Sequence, residues 1–168
     1  LVVRHAGIGD LVQYTMPQPP LYGSYQEFAI VLGAVIAIGV VLFDKTQSLL
    51  PKFDRKSPKM IVIALLSFAV IGVMAMYFPE ILGNGKAGNQ LTFTDLVGWD
   101  YALGLLATKW IAVLLALMAG AYGGRITPSM MLGSTLALAF AALWSIMVSP
   151  VHLGFAAFIG AVIFLGLA

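Results

Sequence analysis

The 168-residue chain has no cysteine, only two histidines, and charged residues at just 10% of its length. The missing cysteine excludes disulfides, thiolate catalysis and cysteine-ligated metals. Neither His5 nor His152 has a second ligand at metal-binding spacing, so no metal site is expected. No nucleophile–base pair and no carboxylate pair stands out, which argues against an enzyme. Seven acidic against nine basic residues leave a net charge of +2, too small to suggest a nucleic-acid partner.

What fills the chain is apolar. Hydrophobic residues make up 61% of it and the mean hydropathy is +0.98, far outside the range of a water-soluble domain. The chain therefore reads as an all-α, multi-pass integral membrane protein in contact with a lipid bilayer. Uncharged runs cover Phe28–Phe43, Met60–Phe78, Ile126–Val151 and Leu153–Ala168, and a fifth, Tyr101–Gly124, is broken only by Lys109. About 20 apolar residues cross a bilayer, so five membrane helices of unequal length are expected over residues 25–168, not all of them simple spans. Residues 1–24 read as the end of a helix followed by a connector with Pro17, Pro19, Pro20 and Gly23. The chain begins with Leu1 and stops within an apolar run, and is expected to be an excerpt of a longer protein.

The connector over residues 44–59 holds Lys45, Lys52, Arg55, Lys56 and Lys59 against Asp44 and Asp54, whereas residues 79–100 hold Glu80, Asp95 and Asp100 against Lys86. The positive-inside rule puts the first loop in the cytoplasm and the second outside. Gly83-Asn-Gly-Lys-Ala-Gly88 matches the G-x-G-x-x-G of dinucleotide-binding folds, but that fingerprint needs a preceding strand, and here an apolar helix precedes it. An external glycine turn, with the next helix starting at Thr92-Phe-Thr-Asp95, is the reading the context supports. Gly33, Gly39, Gly72, Gly104, Gly133 and Gly154 are expected to permit close helix crossings.

The most unusual stretch is Gly120-Ala-Tyr-Gly-Gly-Arg-Ile-Thr-Pro-Ser129, between two apolar runs. Irregular backbone at membrane depth is tolerated only where protein buries it or where it lines a polar cavity. Pro128 suits the first turn of a helix, where its missing N–H costs nothing. The free N–H groups and positive dipole end of such a helix attract anions. Gly120, Gly123 and Gly124 would let backbone approach an ion, or a neighbouring helix, without a side chain in the way. A glycine-rich turn at the membrane surface is the plainer alternative.

Gly123-Gly-Arg-Ile-Thr-Pro-Ser-Met-Met-Leu-Gly133 resembles the G-G-I-F-A-P-S-L-x-x-G signature of the CLC family of chloride channels and chloride–proton antiporters. Leu105-Leu-Ala-Thr-Lys109 is similar to the family's lysine-bearing helix before the signature. Pro79 to Gly88, with Gly83, Gly85 and Gly88, resembles its glycine-rich loop, and Phe155 to Ala161 its next helix. The resemblance implies a multi-helix CLC-like bundle with tilted and broken helices, incomplete here, forming part of a single transmembrane anion-transport domain. It implies chloride or a similar small anion as substrate, with protons as a second substrate in antiporters, no cofactor, a homodimer, and the cell membrane as the location. It also implies that the backbone N–H groups of Arg125 and Ile126 hold the anion, with Gly123, Gly124, Thr127 and Pro128 shaping the site. The family's serine-bearing helix start, gating glutamate and late tyrosine are expected to fall outside residues 1–168. Arg125 replaces a usual hydrophobic residue, so it either recruits anions or snorkels away from the pathway. A membrane-embedded scaffold or enzyme subunit sharing only the glycine-rich turns is the alternative function.

Overall fold

The computed structural model describes residues 25–51, 53, 57–83, 85–94, 97–121 and 126–168. The connector over 1–24, and with it His5, lies outside them, as do Gly123, Gly124 and Arg125. Among the described residues the chain forms six α-helices: α1 (Tyr25–Ser48), α2 (Lys59–Ala75), α3 (Lys86–Phe93), α4 (Trp99–Met118), α5 (Ile126–Met147) and α6 (Leu153–Leu167), with a 3-10 turn at Pro79–Ile81. Glu27–Ser48, Trp99–Met118 and Ile126–Met147 are long and apolar enough to cross a membrane. The 17 residues of α2 and 15 of α6 are as apolar but shorter, about 26 and 23 Å at 1.5 Å per residue. Unequal spans were expected, and these are the unequal ones.

Helix α5 is the centre of the bundle. Met131, Leu132, Ala137, Leu138 and Ala141 on it are fully buried, as are Ala156, Ala157, Ala161 and Phe164 on α6. The two helices meet through small residues, which permit the close backbone approach that drives association where water supplies no hydrophobic force. Helix α1 presents Phe28, Leu32, Ile36, Val40 and Phe43 to this core at spacings of four, four, four and three, one face of a 3.6-residue helix. Its other face is equally apolar and open, with Ile38 61% exposed where Ile36 is at 0%. Open apolar faces on α1 and α2 are what a lipid-facing helix needs.

Aromatic pairs tie the elements together. The Phe43 ring lies edge-on to Trp110 at 5.1 Å and to Phe164 at 6.2 Å, joining α1 to α4 and α6. Trp110 Nε1 donates to Thr46 Oγ1 at 3.2 Å, so the indole packs between α4 and the end of α1. The glycine expectation divides. A Cβ on Gly39, Gly104 or Gly133 would strike a neighbouring helix or turn, but one on Gly33 or Gly72 would meet nothing within 4 Å. Those last two are not crossing points. Gly160, absent from the expected set, is one.

Candidate functional site

The glycine-rich segment is packed against the helices. After α2 the chain makes the 3-10 turn led by Pro79, then passes through Gly83 at φ 64° and Gly85 at φ 89°. Both values are left-handed, which glycine alone adopts freely. Helix α3 opens immediately after Gly85, with Gly88, Asn89, Thr92 and Phe93 buried. Thr92 and Phe93 thus end a short helix rather than start the next one, and α4 begins at Trp99. No periodicity marks this helix, because its eight residues make little more than two turns. A helix and a 3-10 turn precede the loop, not a strand, so the dinucleotide reading still fails.

Hydrogen bonds from two residues of α4 fix where this segment lies along that helix. Tyr101 Oη, in the first turn of α4, donates to Glu80 Oε2 at 2.8 Å. Lys109 Nζ, near the middle of the 20-residue helix, donates to the carbonyl oxygens of Ile81 at 2.7 Å and Gly83 at 3.2 Å. Tyr101 and Lys109 are eight residues apart (109 − 101), about 12 Å along the axis at 1.5 Å per residue. Between Glu80 and Gly83 the chain therefore runs inward along α4 to about its midpoint. Lys109 is 3% exposed, and main-chain carbonyls stand where an intramembrane cation needs acceptors.

Beyond Gly83 the loop meets the start of α5. A Cβ on Gly85 would lie 2.9 Å from Met131 Sδ and 3.5 Å from the Thr127 carbonyl oxygen, and one on Gly88 would lie 2.8 Å from Met131 Sδ. Fully buried Asn89 donates from Nδ2 to the Thr127 carbonyl at 3.5 Å and accepts from Ser134 Oγ at 3.0 Å on Oδ1. Thr127, Met131 and Ser134 are spaced by four and three, one face of α5. The glycine loop and α3 are seated on that face.

The structure thus brings together Gly85, Gly88 and Thr127, puts Ile126 and Pro128 in the same first turn of α5, and leaves Gly83 as the acceptor for Lys109. Ile126 is 63% exposed, and the first turn of α5 carries no acidic residue. The positive dipole end of this helix is therefore not offset by a carboxylate side chain of its own first turn. Gly120 comes close to a neighbouring helix, one of the two roles expected of it: a Cβ there would lie 2.9 Å from Met60 Cε in the first turn of α2. At φ 76° it closes α4, with Gly120 N–H donating to Leu117 O and Ala121 N–H to Ala116 O, the paired bonds of a glycine-capped helix end. Asn89 and Ser134 were missed in the sequence. A lone asparagine beside a glycine loop has no signature of burial, because loops and buried polar networks use the same residue types.

The sequence model of the voltage gated chloride channel family matches residues 2–168. The chain belongs to that family. It is 26% identical over 155 residues to the H(+)/Cl(-) exchange transporter ClcA of Vibrio campbellii, covering 84% of this chain and 31% of the relative. It is 27% identical over 154 residues to the ClcA proteins of Vibrio vulnificus and Vibrio parahaemolyticus, covering 84% of this chain and 32% of each. The chain thus spans about a third of the length of the curated relatives it matches. No solved structure was found to match it. The family consists of membrane transport proteins rather than enzymes, and the all-helical architecture with its apolar spans agrees with it.

Proposed function

We propose that the chain is part of a single transmembrane domain that moves chloride, or an anion of similar size, across the membrane. The observation that carries the reading is that the α5 start is seated on the glycine loop, whose Gly83 carbonyl is held by Lys109 near the middle of α4. A helix start there offers unpaired N–H groups and a positive dipole end in a medium without water, and broken helices in transporters use that device. The N–H groups of Arg125 and Ile126 replace part of the anion's hydration shell, weakly enough for release. Gly123 and Gly124 keep side chains away from the ion, and Thr127 and Pro128 set the helix start. The Vibrio relatives are named for proton–chloride exchange, which supports protons as the second substrate. By the family resemblance the working unit is a homodimer in the cell membrane, with residues 44–59 on the cytoplasmic side.

The test is a proline at residue 126. Ile126→Pro deletes one proposed donor at a position where a helix accepts proline, so the fold survives. Full-length protein carrying this change, reconstituted in liposomes under a pH gradient, should bind and transport chloride more weakly than the unaltered protein. Flux and chloride affinity equal to those of the unaltered protein would remove the helix start from the pathway and favour a scaffold role.

A further inference from the structure

We propose that Lys109 and Asn89 are positioning residues that clamp the first turn of α5 through the glycine loop, and so set its affinity for the anion without touching it. The inference rests on the helix-start reading above and names two residues that reading does not use.

The clamp has a continuous path. Lys109 is anchored in α4, buried, and its ammonium holds two carbonyls of the incoming chain, those of Ile81 and Gly83. Two residues after Gly83 the backbone turns left-handed at Gly85 and enters α3. Gly85 and Gly88 then lie against Met131 with no space for a side chain between them. Asn89, one residue further, uses both ends of its amide on α5: Nδ2 toward the Thr127 carbonyl, Oδ1 from Ser134 Oγ. Each contact between elements along this path is either a hydrogen bond or an approach too tight for a Cβ. The helix start therefore inherits its position from the middle of α4.

Fixing that start matters because its ligand contacts are expected to be main-chain. A backbone donor cannot swing to follow an ion as a side chain does, so its placement is that of the whole first turn. Affinity then depends on what holds the turn. Asn89 is suited to this because a buried amide with both ends engaged fixes orientation as well as distance. Ser134 Oγ has a single proton to share between Asn89 Oδ1 at 3.0 Å and the Met131 carbonyl of its own helix at 3.1 Å, so the second anchor of Asn89 is a bifurcated bond.

The readout is chloride titration calorimetry on the purified full-length protein, alongside its thermal unfolding temperature. Three variants are compared: Asn89→Leu, which keeps size and removes the amide, Lys109→Met, which removes the donor and the charge, and Lys109→Arg, which keeps both. Asn89→Leu and Lys109→Met should weaken chloride binding by on the order of tenfold, the lower end of what is lost when groups supporting a ligand shell are removed. Lys109→Arg should stay near the unaltered affinity. Asn89→Leu that lowers the unfolding temperature but binds chloride normally would reduce the clamp to a structural prop and overturn the proposal. A weakened Lys109→Met beside a normal Asn89→Leu would overturn it too, since the charge alone would then explain the loss. If Lys109→Met does not fold, Asn89→Leu and Lys109→Arg decide the matter. Ile126→Pro separates the two levels: loss of affinity there with normal Asn89→Leu rejects only the clamp, while normal affinity there rejects the helix-start site and the clamp with it.

Discussion

Gly133 and Gly160 meet backbone to backbone where α5 crosses α6. A Cβ on Gly160 would stand 2.6 Å from the Gly133 carbonyl oxygen, and one on Gly133 would overlap the Gly160 carbonyl. The obstacles are main chain together with the Cβ atoms of Ala137 and Phe164, so no rotamer change relieves them. Gly160→Ala should lower stability by about 1–3 kcal/mol, the usual range for overpacking. Thermal unfolding of the full-length protein in detergent measures this, and an unchanged transition would mean the helices slide apart at no cost.

Gly72 makes the opposite prediction. It is exposed on α2 and a Cβ there would meet nothing within 4 Å. Gly72→Ala should be neutral or stabilise by up to about 1 kcal/mol, because alanine has less backbone freedom to lose in a helix. A clear loss in the same unfolding assay would show that this face contacts more than lipid.

The glycine loop separates steric from conformational cost. Gly88 lies within α3, and its neighbour is the far end of the Met131 side chain, whereas Gly85 has φ 89° as well as Met131 beside it. Gly88→Ala should be destabilising and largely rescued by adding Met131→Ala. Gly85→Ala should resist that rescue, since the left-handed backbone costs an L-residue about 1–2 kcal/mol on its own. Equal rescue of both by Met131→Ala would contradict the assigned conformation at Gly85.

The inward path of the chain along α4 starts at the bond from Tyr101 to Glu80, 2.8 Å long. Tyr101→Phe keeps the ring, which sits 5.1 Å from the Phe78 ring, and removes only the hydroxyl. The loss should be about 1.5–3 kcal/mol if the carboxylate is ionised, as for other hydrogen bonds to charged groups. Equilibrium unfolding of the two proteins side by side gives the difference, and a value near zero would mean water replaces the hydroxyl there.

Arg125 bears on affinity rather than stability. If its charge recruits anions to the helix start, Arg125→Ile should weaken chloride binding and make it less sensitive to ionic strength. Chloride titrations at two salt concentrations, with an inert anion as the added salt, measure both. Unchanged binding would assign the arginine to snorkelling.

Much was determined by the sequence alone. The membrane setting and the order of the apolar helices, three long and two shorter, follow from runs such as Phe28–Phe43 that no soluble fold would carry. The family followed from the stretch ending at Gly133, because proline and glycine report their own backbone geometry wherever they stand. What tertiary structure alone decided is which face of each helix is inside and which polar residues meet. Ile36 and Ile38 are the same residue two positions apart, one buried and one open, and in lipid both faces are apolar, so periodicity carries no sign of the difference. Lys109 and Ile81, or Asn89 and Ser134, are 28 and 45 residues apart in the chain. Their pairing depends on how α3, α4 and α5 stack, a property of the packed bundle that no local stretch of sequence contains.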